Sequence, residues 1–304
     1  MKLPKFLDIS KLSDRGGGAS LNYGDKYIYT GIEGDEIINK AFENSEPCLI
    51  ARFGSVELAT IREFKRNKRN NKIDIFSTHQ RYSMSNNAGF FPVTNKALIR
   101  FSCELIDITT RIDVLGCWFR PYEKEICLNY LPKSAKLTHL ENICPIHSTI
   151  PWSRHLKGKK VLVIYPFVET IKKQYAKRGL LHKNKDILPE FELITMKPVQ
   201  SIADNKSTYH YENWFEALND MKKQIKTIDF DIALIGAGAY GLFLADYCKS
   251  LGKKAVHLGG ATQLLFGIKG KRWDDCRFYN EYWVRPSEEE KPLGAEKVEG
   301  GCYW

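Results

Sequence analysis

Asp231-Ile232-Ala233-Leu234-Ile235-Gly236-Ala237-Gly238-Ala239-Tyr240-Gly241 is the stretch on which the fold turns. Four apolar residues read as a fully buried strand. The glycine turn closes it, and Tyr240 to Leu251 has helical spacing. Lys254 to Leu258 then reads as the next strand. Working backwards, Trp214, Leu218, Met221, Ile225 and Ile228 share one face of a helix within Glu212 to Ile228. Before it come a strand at Phe191 to Met196, a helix at Glu169 to Arg178 and a strand at Val161 to Tyr165. This alternation predicts a doubly covered, mostly parallel α/β sheet of Rossmann-like type.

The first half repeats the pattern less clearly. Asp35 to Asn44 reads as a helix, Cys48 to Phe53 as a buried strand, and Ser55 opens a helix. Lys72 to Phe76 reads as a strand and Ser77 to Pro92 as a polar loop. A helix is expected at Lys96 to Thr110, with strands at Ile112 to Phe119 and Lys136 to Leu140. Residues 1–30 read as a loose arm, broken by Gly16-Gly17-Gly18. The domain is placed at 31–285, and 286–304 reads as a Glu- and Gly-rich tail.

Composition narrows the partners. The chain has 304 residues, 43% of them hydrophobic, enough for a sizeable core. A formal net charge of +10 favours anionic partners such as nucleotide phosphates, lipid pyrophosphates or acidic glycans. Arg62 to Lys72 carries six basic residues and one acid. That run can touch an anionic membrane or a lipid-linked acceptor, although a solvated helix face is the ordinary reading. No helix-turn-helix spacing, zinc module or aromatic RNA-binding signature is present, so nucleic acid is not expected. Eight cysteines without a CxxC pair fit a reducing compartment. Met1 to Ser20 lacks the apolar core of a signal peptide. No run of roughly 18 apolar residues occurs, so no span is expected. The expected place is the cytoplasm, extending to the inner face of the membrane.

Gly236-Ala237-Gly238-Ala239-Tyr240-Gly241 matches the GxGxxG pattern, whose backbone N–H groups meet a phosphate at a helix start. The dinucleotide version also needs an acid at the end of the next strand, about 20 residues on. His257-Leu258-Gly259-Gly260 stands there instead. A tight turn packed on its neighbour explains the glycines equally simply. Thr262 and Gln263 follow, then Lys269, Lys271 and Arg272; with the glycines they form a candidate pyrophosphate cradle. In the first half Arg52, Gly54, Ser55 and Glu57 sit at another strand-to-helix junction. Arg52 can fork onto a phosphate. Glu57 can hold a divalent cation or serve simply as a first-turn acid. Glu169 and His79 are candidates for the catalytic base, and Trp118 and Arg120 lie at a further strand end.

These residues carry a family resemblance. Ile50 to Leu58, Tyr165 to Ile171, Gly236 to Gly241, His257 to Trp273 and Gly300 to Trp304 together resemble the GT-D-fold-like proteins of bacterial surface-polysaccharide synthesis. The resemblance covers about residues 45–304. It implies a glycosyltransferase that uses a nucleoside-diphosphate sugar, with UDP the expected nucleotide, and a glycan or lipid-linked acceptor. It also implies Mn2+ or Mg2+, held by an Asp-X-Glu triplet. Here the triplet reads Ser55-Val56-Glu57, so Glu57 is the metal ligand that carries over. A serine hydroxyl is a poor substitute for a carboxylate on a hard cation; Asp74 and Asp274 are the acids that could stand in. Donor contacts fall to Arg52, Gly54, Ser55, Gly236, Gly238, Tyr240, Gly241, His257, Gly259, Gly260, Thr262, Gln263, Lys271 and Arg272. Two other readings stay open: an enzyme using NAD or S-adenosylmethionine, and a non-catalytic nucleotide-sugar-binding or scaffold protein.

Overall fold

The structure is a computed structural model that describes residues 21–70, 74–204 and 210–304. Among these residues nine strands form one sheet: β1 (Asn22–Tyr23), β2 (Lys26–Tyr29), β3 (Leu49–Ala51), β4 (Val114–Cys117), β5 (Lys136–His139), β6 (Lys160–Ile164), β7 (Glu192–Met196), β8 (Ile232–Ile235) and β9 (Lys254–His257). Their order is β1-β2-β5-β4-β3-β9-β8-β6-β7. Only the β1–β2 pair is antiparallel. The β3–β9 pair, Leu49 against Ala255 and Ile50 against Val256, joins the two halves of the chain at mid-sheet.

The strands are apolar throughout because both faces are covered. In β6, Val161 and Val163 pack on one side with Trp152, Ile171 and Phe266. Leu162 and Ile164 belong to the opposite core, with Phe64, Phe101, Trp214 and Phe243. This is the period-two alternation of a strand, with helices in place of solvent on each side. The flanking helices carry their own start signals. Asn213 caps Trp214–Lys226 by accepting from the Glu216 N–H at 3.1 Å, and Thr94 caps Asn95–Thr109 through the Ala97 N–H at 3.2 Å.

Four expectations are corrected or completed. The polar loop at 77–92 contains a helix, Thr78–Asn86, capped by Ser77. The strand read at 72–76 falls partly outside the described residues, and 74–76 are irregular. The arm's first 20 residues also lie outside them, but 21–29 supply β1 and β2. A further helix, Glu123–Tyr130, follows β4.

The last segment folds onto the body. Glu290 accepts from the N–H groups of Glu169 at 2.7 Å and Thr170 at 3.1 Å, a carboxylate placed at a helix start. Asn86 donates to the Lys297 carbonyl at 3.0 Å. Ala295, Val298 and Cys302 are buried. All eight cysteines are unpaired. Among the described residues no helix is long and apolar enough to cross a membrane.

Candidate functional site

The carboxyl ends of β3, β4, β8 and β9 meet along one edge of the sheet, where open α/β sheets place their ligands. β3 runs out through Arg52, Phe53 and Gly54 into the helix Ser55–Arg69. Arg52, Gly54 and Glu57 line the same small cavity as Gly238 and His257 from the second half of the chain. Its accessible space is about 10 Å³, the room of a single water. Glu57 folds its carboxylate back over Gly54, where a Cβ would collide with it. Burial raises the Glu57 carboxyl above its usual range, opposed by its own backbone N–H and by Arg52.

His257 is a support rather than a ligand group. Its Nδ1 lies 3.0 Å from the Arg52 carbonyl. A carbonyl only accepts, so Nδ1 carries the proton. Its other side packs on Gly241, where a Cβ would run into the ring. Burial, then the Arg52 charge, push the imidazole down to about 3, so it is neutral at pH 7. Because the folded-state value lies below the unfolded one, neutral His257 stabilises the fold above pH ~6.5, and the effect is lost as pH falls toward 3. We predict a loss of about 2 kcal/mol between pH 7 and pH 5 from this residue. In urea titrations at both pH values the wild type should lose about that much more unfolding free energy from pH 7 to pH 5 than His257→Gln does; equal losses would remove the assignment.

The glycines divide by role. A Cβ on Gly236 would collide with the Gly259 carbonyl oxygen and come within 2.7 Å of the Tyr165 ring. Gly236 therefore lets two rim turns touch and leaves its phosphate-facing role unfilled. Gly259 sits at φ +60, and a Cβ there would lie 2.9 Å from Arg52 Nη1. Gly238, at φ +52, is exposed and faces the cavity. Gly260 is covered by the Tyr303 ring.

Three other expected donor residues are spoken for within the fold. Tyr240 stacks on Trp214 at 4.6 Å in the helical layer. Buried Thr262 donates to the Gly259 carbonyl at 2.8 Å. Gln263, fully buried, accepts from Tyr165 Oη at 2.8 Å and donates to the carbonyls of Lys269 and Tyr303. Ser55 and Lys271 are exposed. Arg272 pairs with Glu299 and donates to Tyr303 Oη at 3.3 Å. Glu169 is exposed and paired with Lys172 at 2.8 Å, and His79 is exposed on its helix; the structure does not bring either to the cavity.

A loop after β4 completes the rim. The Arg52 guanidinium lies 4.3 Å from the Trp118 ring centroid and that of Arg120 lies 4.1 Å from it. Phe119 and Tyr122 adopt left-handed backbone, φ 57 and 75, which non-glycine residues rarely do. Glu123 holds the Trp118-Phe119 turn. Fully buried, its Oε2 accepts from Tyr23 Oη at 2.9 Å, Trp118 N–H at 3.1 Å and Phe119 N–H at 2.8 Å. Sequence reading placed Trp118 and Arg120 at a strand end but gave no role to Glu123, Glu299 or Tyr303. Glu299 and Tyr303 reach the rim through long-range contacts with Arg272, and Glu123 bonds its own loop locally but is buried against Tyr23, 100 residues away.

The residues beside Glu57 do not make a cation cage. Among the described residues no group of three or more His, Cys, Asp or Glu is placed to hold a metal ion. Asp74 and Asp274 are bound elsewhere, to Arg81 and Arg285, each at 2.8 Å. Of the neighbouring charges, the cation of Arg52 bears most on the Glu57 carboxyl, ahead of Glu299.

No protein-family model matches the chain, and no curated protein matches it. Among solved structures, a selenomethionine-substituted domain of unknown function 1792 aligns over 88% of this chain and 94% of that chain, with 11% identity and a TM-score of 0.45.

Proposed function

We propose that the protein transfers a sugar from a nucleoside-diphosphate sugar to a glycan or lipid-linked acceptor. The observation that carries this reading is the convergence of Arg52 and Glu57 with Gly238 and His257 at the carboxyl edge of the sheet; the gap between them holds one water, so a nucleotide sugar must part these side chains to reach Glu57. The nucleotide, UDP, and the setting, surface-polysaccharide synthesis at the cytoplasmic face of a membrane, rest on the resemblance of the motif blocks.

Arg52 holds the diphosphate, and Gly238 and Gly259 keep the backbone close to it. Glu57 is the one carboxylate lining the cavity, so it takes the base role. The acceptor hydroxyl attacks the anomeric carbon while its proton passes to Glu57. The bond from that carbon to the diphosphate oxygen breaks, and the leaving charge settles against the arginines. A nicotinamide reading lacks its ribose-binding acid, since His257 ends β9 and is engaged with Arg52.

A panel of UDP-sugars incubated with the full chain should release UDP, and release should rise when the acceptor is supplied. UDP binding without release would favour a binding or scaffold protein. Binding of NAD or S-adenosylmethionine in preference to UDP would remove the proposal.

A further inference from the structure

The rim holds cationic groups that its own carboxylates do not bind. Arg52 and Arg120 both lie over Trp118, within 4.3 Å and 4.1 Å of its centroid. The Nε atoms of both arginines and Nε1 of Trp118 are buried without a hydrogen-bond partner. A buried donor left unpaired costs about 1–3 kcal/mol, so three gathered at one place favour an incoming acceptor. Burial above all, and then the charge of Arg272, disfavour the guanidinium cations, against the opposing pull of Glu57 and Glu123 on Arg52 and of Glu123 and Glu299 on Arg120. A guanidinium does not shed its proton to escape such strain. What relieves it is an anion.

Glu123 Oε2 accepts three hydrogen bonds that shape the loop, and its Oε1, buried and itself without a partner, bonds neither guanidinium although its charge favours both. Glu299 is paired with Arg272. The cluster also lies beside Glu57 and exposed Ser55; the second acid whose charge reaches Glu57 is Glu299, and that one is paired with Arg272. A hard divalent cation would meet Arg52 there and find too few oxygens. Guanidinium forks are suited to phosphate oxygens.

We propose that Arg52 and Arg120 grip the diphosphate of the ligand directly, on the Trp118 platform, so that this site binds a nucleoside diphosphate without a divalent cation. The proposal rests on the nucleotide-sugar reading above and specifies how that ligand's charge is met. Arg272 joins them once an incoming phosphate competes with Glu299.

Isothermal titration of the full chain with UDP, in EDTA and in Mn2+, tests it. The dissociation constants should agree within about threefold. Arg120→Gln should weaken UDP in EDTA by about tenfold or more, and Arg120→Lys by less, since it keeps the charge and loses the fork. Circular dichroism melting checks that each variant folds, and the EDTA comparison stands even where one does not. Inorganic pyrophosphate should compete in EDTA and UMP should compete poorly. Binding that appears only with Mn2+ overturns the arginine assignment and leaves the donor reading standing. Pyrophosphate binding as tight as UDP, lost in Arg120→Gln, supports the arginine site and overturns the nucleotide reading. An unchanged affinity in Arg120→Gln, or no binding of either anion, overturns the proposal.

Discussion

Gly236→Ala should destabilise the fold by about 3 kcal/mol or more, at the upper end of overpacking effects. The added methyl would enter the Gly259 carbonyl oxygen and the Tyr165 ring, and neither neighbour can yield. Tyr165 is pinned at its hydroxyl by Gln263 Oε1 at 2.8 Å and the Gly260 carbonyl at 3.2 Å. Gly259 is fixed by its own positive φ and by Thr262, which donates to its carbonyl. Gly236 cannot retreat either, because its N–H bonds the Ile164 carbonyl at 2.9 Å. Gly238→Ala is the control. It pays only the left-handed backbone cost of about 1–2 kcal/mol, since its Cβ would meet nothing closer than the Ala88 carbonyl at 3.5 Å. Urea denaturation should therefore rank Gly236→Ala well below Gly238→Ala. The reverse order would mean that the glycine pattern serves a ligand rather than the contact between turns.

That distinction marks how much the sequence could tell. The strands of the second half were legible because each is a short apolar run, closed by glycine or proline, between amphipathic helices; β6, β7, β8 and β9 fall within a residue or so of their expected places. Strands β1 and β2 were not legible. Asn22–Tyr23 and Lys26–Tyr29 are short and half polar, and β2 exists because β5 pairs with it through Ile28 and Leu137. The helix Thr78–Asn86 did leave a signal, Ser77 followed by Gln80, the pattern of a capping box. Its polar residues hid it, since Tyr82 stays exposed and only Gln80, Ser83, Met84 and Asn86 are buried.

The site was legible where strand ends carried glycines and an arginine in sequence, and not where the rim is assembled across the chain. Arg52, Glu57, Gly238 and Gly259 were found from local pattern. Tyr240, Thr262 and Gln263 sat in equally suggestive pattern, yet their side chains turn into the core or staple the loops. Side-chain direction, set by helix phase and by the loop that follows, is what spacing alone does not encode. Glu123 illustrates the converse. Nothing in Tyr122-Glu123-Lys124 announces a buried carboxylate, but Tyr23, 100 residues away, and the strained Trp118-Phe119 turn both require one.

Glu57→Gln carries the other large expected effect, a fall in sugar transfer of about 10²- to 10⁴-fold, the usual worth of a positioned base. UDP binding should stay within a few-fold of wild type, or tighten, because removing the carboxylate leaves Arg52 more exposed to an incoming anion. The pH profile gives the sign. A base works when ionised, so the wild-type rate rises with pH and levels off above the Glu57 value. Burial holds that value above the ordinary carboxylate range, so the rise comes at higher pH than an exposed glutamate would give. Glu57→Gln should flatten that limb. A purely structural role predicts something else. As a first-turn acid folded over Gly54 and bonded to its own N–H, Glu57 would be worth about 0.3–1 kcal/mol to its helix, and the variant would show a lowered melting point with transfer intact. Rates, UDP titration and melting on one preparation separate the two: transfer lost with binding and fold retained makes Glu57 the base, whereas transfer retained with the fold weakened makes it a helix-start acid beside a diphosphate-binding rim.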